Sequence, residues 1–208
     1  MAQYFSIHPK NPQRRLVRKA AEFVRGGALI AYPTDSCYAL GCLLGESRAV
    51  ERMRTIRSID ERHHLTLMCR HLAEIAVYAV VDNARFQLLK SVTPGSYTFI
   101  LRATREVPRR LTRRKTIGVR IPDHPVAHAL LAELDAPMLS TTLALPGDSV
   151  PLSDAQEIRA RLERELDLII DAGSCGIDPS TVIDLTTDEP RILREGKGSL
   201  APFAVTPL

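Results

Sequence analysis

The chain has 208 residues, 45% of them apolar and 25% charged, a balance that excludes disordered, collagenous and coiled-coil proteins and fits one folded domain. Its longest apolar run, Ile75 to Val81, is far shorter than the roughly 20 residues of a bilayer-spanning helix, and the start Met1-Ala2-Gln3-Tyr4-Phe5-Ser6 has neither the basic nor the apolar segment of a secretory signal, so a cytoplasmic protein is expected. The net charge of +4 hides a division, since residues 121–190 hold 14 acidic and 3 basic side chains while the remainder holds 10 acidic and 25 basic.

In chain order, the first element reads as a basic amphipathic helix over 12–25, with Asn11 as N-cap, Pro12 at its first position and Gly26-Gly27 as its stop. The apolar run Ala28–Tyr32 reads as a buried strand ended by Pro33, and a loop begins at Thr34. Ser47 caps a second helix carrying Val50, Met53 and Ile56, and a strand follows over Leu65–Cys69. Short helices are expected over 71–79 and 83–91. Strands follow at Tyr97–Ala103, Thr116–Ile121, Pro137–Leu143, Leu168–Asp171, Thr181–Leu185 and Arg191–Arg194, with helices at Val126–Leu134 and at 154–166, the latter opened by a Ser153/Gln156 capping box. Strands outnumber the helices available as crossovers. The expected fold is therefore a single α/β domain over 1–208, a mixed sheet with helices on its faces.

Most candidate sites fail on chemistry. The four cysteines lack C-x-x-C spacing, and His124 and His128, although four apart, have no acidic partner at zinc-site spacing and Pro125 places His124 before the helix, so no metal site is expected. Neither a Walker A sequence nor G-x-G-x-x-G occurs, and Ser36, Ser140 and Ser180 lack the G-x-S-x-G context of a hydrolase nucleophile. The stretch Tyr32-Pro33-Thr34-Asp35-Ser36-Cys37-Tyr38-Ala39-Leu40-Gly41 is different, because a buried strand delivers hydroxyls, a carboxylate and an aromatic into a loop. Eight Arg or Lys stand against Glu106 in 102–120, and Arg109, Arg110, Arg113, Arg114 and Lys115 read equally as a polyanion-binding patch, for tRNA or double-stranded RNA, or as a solubilising face.

Four segments occur in a telling order: the 32–41 stretch, Pro94–Leu101, Ile117–Pro125, and Ser180–Asp184 with Ile192–Gly196. With these in place the chain resembles the YrdC/YciO family from about residue 8 to Phe203, and the YciO branch most. The resemblance implies a sheet around a concave basic cavity. It also implies a nucleotidyltransferase activity, in which ATP, L-threonine and bicarbonate become threonylcarbamoyl-AMP and pyrophosphate for later transfer to adenosine in tRNA. On the family pattern Thr34 and Tyr38 take the loop positions that contact threonine and nucleotide, and Arg120, Ser180 and Arg194 those that hold phosphates. Arg57 stands at the lysine of the family's K-x-R pair, with Ile59 at its arginine and His63 as the following basic position. The S-x-N motif reads Thr142-Leu143-Ala144, and Ser140 remains a nearby donor. Alternatives that leave the site are an Arg120 pair with Asp123 and an Arg194 pair with Asp184 or Glu195. The implied chemistry needs no protein nucleophile, since the amino acid's nitrogen captures CO2 and the carbamate attacks phosphorus. Arg57, Arg120, Arg194 and Mg2+ arriving with ATP would supply the positive charge, with no dedicated protein metal site, in a monomer.

Overall fold

The computed structural model describes residues 1–60, 63–112 and 115–203. Its strands are β1 (Gln3–Ser6), β2 (Ile30–Tyr32), β3 (Ala39–Leu43), β4 (Thr66–Met68), β5 (Tyr97–Arg102), β6 (Thr116–Arg120), β7 (Met138–Thr142), β8 (Leu168–Asp171), β9 (Thr181–Asp184) and β10 (Arg191–Arg194). The helices are α1 (Arg14–Arg25), α2 (Ser47–Arg57), α3 (Leu72–Tyr78), α4 (Asn83–Val92), α5 (Pro125–Leu134) and α6 (Ala155–Leu162). All ten strands join one sheet in the order β1-β8-β2-β3-β7-β4-β6-β5-β9-β10, mixing parallel pairs such as β4/β6 and β5/β9 with antiparallel ones such as β3/β7 and β5/β6. The expected mixed α/β architecture is thus observed.

Side chains alternate between the two faces along each strand, and the two faces are treated differently. On one, Leu40, Leu67, Phe99, Leu139 and Ile169 pack with Val50 and Met53 of α2, Ile75 of α3, Leu89 of α4 and Ile158 of α6. On the other, Ile30, Tyr32, Met138 and Ile170 pack beneath α1 and α5. The stripe Val17, Ala20, Ala21 and Val24 gives α1 the i, i+3, i+4, i+7 spacing of a helix buried on one side, and Val126, Ala127, Leu130, Leu131 and Leu134 do the same for α5. These two helices cover the half of the sheet around β8, β2 and β3.

Several boundaries differ from the sequence expectation for local reasons. Helix α1 starts at Arg14 because His8 Nδ1 accepts from Lys10 N and Asn11 N while Gln13 Oε1 accepts from His8 N, which holds the residues before it in a turn. Asp154, not Ser153, caps α6, accepting from the Gln156 and Glu157 amides. Ser47 is the first helical residue of α2 rather than its cap. Strand β3 falls in the stretch read as a loop. It lies between β2 and β7, and Gly41 is required there, since a Cβ would come 2.7 Å from the Tyr32 ring, which lies over it and places its hydroxyl 2.8 Å from Ser140 Oγ.

Candidate functional site

Beyond α1 and α5 the same sheet face is open, and the strands there change composition on that face alone. Register sets Ser140 of β7 beside Thr66 of β4, Thr66 beside Gly118 of β6, and Gly118 beside Ile100 of β5. A neighbouring row sets Met68 beside Arg120, and a third runs from Thr98 through Val182 of β9 to Arg194 of β10. The alternate residues Leu67, Phe99, Val119 and Leu139 are buried in the opposite core. Hydroxyls and cations therefore replace the apolar residues found under the helices, and they floor a cavity of about 270 Å³. The loop after β2 closes one side with Thr34, Ser36 and Cys37, and His63 and His64 stand on another.

Seven of the nine residues singled out from the sequence meet in this lining: Thr34, His63, Arg120, Ser140, Thr142, Ser180 and Arg194. Tyr38 does not. It precedes β3 on the Leu40 side of the chain, while Ala39 faces the cavity. Its ring is buried in the opposite core and its hydroxyl donates to the Gly173 carbonyl at 2.8 Å. Arg57 is not in the lining either. It stands half-buried behind it, donating Nη1 to the Ala144 carbonyl, with a buried Nε that has no hydrogen-bond partner among the described residues. Burial, and after it the Arg194 charge, lowers the Arg57 pKa.

Arg120 has a different partner from the one anticipated. Its Nη2 pairs with Asp35 at 2.6 Å, not with Asp123, and its Nη1 donates to Ser36 Oγ at 3.0 Å. Asp35 also accepts from Ser96 Oγ at 2.5 Å and from the Asp123 amide at 3.1 Å. Burial pushes the Asp35 carboxyl up, but Arg120, Ser96 and backbone amides together hold it below the usual carboxylate value. The pair thus ties the 34–37 loop to β6. Arg194 pairs with neither Asp184 nor Glu195. Its Nε and Nη2 donate to the Ser180 carbonyl at 3.1 and 2.8 Å, which fixes the guanidinium at the cavity and leaves it without a carboxylate partner among the described residues. Gly196 permits this approach, because a Cβ there would lie 2.2 Å from the Pro179 carbonyl.

Within the loop, Thr34 Oγ1 donates to the Cys37 carbonyl at 2.7 Å and accepts from the Ser36 and Cys37 amides. Thr34→Val would leave these buried groups unpaired, so a loss of about 1–3 kcal/mol in folding free energy is expected, read from the urea midpoint. Of the basic run, Arg109 and Arg110 lie exposed on a 3-10 turn and Lys115 is exposed before β6, while Arg113 and Arg114 lie outside the described residues. Arg105, Arg109 and Lys115 line a separate cleft, so this run does not form the cavity. Ser36 and Cys37, in the loop stretch singled out from the sequence without a role of their own, join the lining, and His64, Thr66 and Thr98 are lining residues that the sequence reading missed. Thr98, alternating with Tyr97 and Phe99, carried a period-two signal that a search for known motifs passes over.

One mixed sheet, half covered by helices and half open as a cavity of hydroxyls and guanidiniums, defines the class. The family model for Sua5, YciO and YrdC, described as telomere recombination, matches residues 22–196, and the chain belongs to this family. It is 55% identical over 205 residues to the uncharacterized protein YciO of Escherichia coli K12, covering 98% of this chain and 100% of that one, and the crystal structure of E. coli YciO superposes with a TM-score of 0.95. The threonylcarbamoyl-AMP synthase of Chromobacterium violaceum is 32% identical over 188 residues, covering 89% of this chain and 96% of its own. The structure of Pyrococcus abyssi Sua5 complexed with L-threonine is 28% identical with a TM-score of 0.85, over 93% of this chain and 57% of that one.

Proposed function

We propose that the protein is a nucleotidyltransferase of the threonylcarbamoyl-AMP synthase type, which joins ATP, bicarbonate and L-threonine, or an amino acid close to it, with release of pyrophosphate. The observation that carries this reading is Arg194, a cation held at the cavity by the Ser180 carbonyl with no carboxylate to neutralise it among the described residues. An anionic ligand is the partner such a group lacks, and guanidinium suits phosphate and carboxylate by geometry. The hydroxyls of Thr66, Thr98, Ser140, Thr142 and Ser180 offer donors and acceptors to an amino acid on the same floor. Mg2+ enters with ATP, and the product would serve threonylcarbamoyladenosine formation in tRNA. Ile59 and Ala144, which lack the charge and the amide of the family motifs, leave the amino-acid acceptor as the variable part. The test is pyrophosphate release with ATP, Mg2+, bicarbonate and each amino acid in turn. Release with threonine or one near relative is expected. Release with none, beside an active synthase, removes the reading.

A second reading, docking of an RNA backbone such as tRNA or duplex RNA, rests on the cleft of Arg105, Arg109 and Lys115, none of which has a carboxylate partner among the described residues. It predicts RNA affinity that falls steeply with salt. Affinity undetectable at low salt removes it.

A further inference from the structure

The proposed reaction contains a step that cations do not perform. An amino acid arrives with its nitrogen protonated, and that nitrogen becomes a nucleophile toward CO2 only after a base removes a proton. Among the described residues neither Asp nor Glu lines the cavity, and the neighbouring carboxylate Asp35 is engaged by Arg120, Ser96 and the Asp123 amide. Among the described residues the ionisable groups of the lining are Cys37, His63, His64, Arg120 and Arg194. Arg120 and Arg194 remain cationic, and burial pushes the Cys37 thiol up so that it stays protonated. His64 Nε2 is hydrogen-bonded to Thr116 Oγ1 at 2.8 Å. His63 is exposed at the cavity mouth, and its ring has no hydrogen-bond partner among the described residues.

We propose that His63 is the general base that takes the proton from the amino acid's ammonium group and so starts carbamate formation. The proposal rests on the synthase reading of the same cavity. An N–H bond of the ammonium breaks and its proton moves to an imidazole nitrogen. The freed lone pair forms the N–C bond to CO2, which bicarbonate supplies in solution by taking up a proton and losing water, while one C=O pair moves onto oxygen, and the nitrogen's second proton passes to water, leaving the carbamate anion. The charged groups around His63 favour this role. Desolvation first, then Arg57 of α2, His64 beside it, Arg194 of β10 and last Arg54 of α2, push its pKa below the ordinary histidine value, so the ring is neutral and able to accept at pH 7. The same positive field disfavours the ammonium form of a bound amino acid, bringing the two groups closer in proton affinity.

The experiment is the pH profile of kcat/KM for the amino acid in the wild type and in His63→Gln, with melting midpoints to confirm folding. The variant is expected to be about 100-fold slower at pH 7, with an unchanged KM for ATP and a deficit that narrows as pH rises toward the amine's own ionisation. Added imidazole should restore part of the rate in His63→Ala, a response that a structural role would not give. A His63→Gln profile that overlays the wild type overturns the base and leaves the synthase reading standing. A wild type inactive with every amino acid removes that reading, and the base with it.

Discussion

Arg120→Met is expected to lower folding stability by about 3–5 kcal/mol, because it breaks an ion pair whose two side chains are only 7% and 10% exposed and leaves the Asp35 carboxylate buried without its cation. Ser36 Oγ loses a donor in the same change, so the loop that closes the cavity loses its tie to β6. The sign of the pH dependence follows from Asp35. Its folded pKa is held below the unfolded value, so in the wild type its contribution is present above the ordinary carboxylate pKa and is lost as pH falls through the folded value. In Arg120→Met the burial that already pushes this carboxyl up is no longer opposed by the guanidinium, and protonation then relieves the fold. The gap in thermal midpoint between wild type and variant should therefore be widest near pH 7 and should shrink as pH falls, first through the variant's raised Asp35 pKa and then through the wild type's lowered one. Adding Asp35→Asn should recover part of the loss. A gap that stays constant from pH 7 to pH 3 would show that the pair is not the cause.

This pair also marks where sequence reasoning stopped. Arg120 and Asp35 are 85 residues apart, and nothing local distinguishes Asp35 as a partner from Asp123, which stands three residues from Arg120 in the chain. Only the registers that lay β6 beside β4 and β4 beside β7, across from β3, bring the two together. The strands legible in advance were those with an apolar run bounded by turn residues, such as Leu168–Asp171, which agrees residue for residue with β8. Strand β3 hid because a central strand buried on both faces has no polar alternation, and its glycine resembled a turn until the Tyr32 ring was seen to need the space. Strand β1 was also unread. It is an edge strand of four residues, paired in parallel with β8 by a register that no local pattern in Gln3–Ser6 announces. The same register logic explains Tyr38, since the family motif gives the order of residues in the loop but not the face that each one takes.

The division of charge along the chain acquires a spatial meaning in the same way. Part of the acidic segment neutralises basic helices far from the cavity, as Asp167 does for Arg52 of α2 and Asp148 for Arg161 of α6. Among the described residues the carboxylate beside the cavity, Asp35, is committed to Arg120, so the positive charge without a carboxylate partner belongs to Arg194 at the cavity and to Arg57 behind it. Cations without carboxylates are costly to gather, and a fold that holds them together by carbonyl acceptors alone retains their charge for a ligand.

Arg194→Ala is accordingly expected to separate function from folding. Its guanidinium donates to the Ser180 carbonyl and more weakly to Ser180 Oγ at 3.4 Å, and β10 is an edge strand with all four residues exposed, so the stability lost should be about 1 kcal/mol. The loss in turnover should be far larger. A cation fixed where phosphate charge develops is typically worth a factor of about 10² to 10³ in rate, and its removal lowers kcat and kcat/KM together when the contact tightens in the transition state. Arg194→Lys retains the charge but gives up the forked contact that lets one guanidinium hold the Ser180 carbonyl while facing a ligand, so it should recover only a fraction of the rate. Melting midpoints and initial rates of pyrophosphate release, measured on the same preparations, decide the matter. If Arg194→Ala keeps the wild-type rate per folded molecule, Arg194 is a bracket between β9 and β10 and not part of the ligand site.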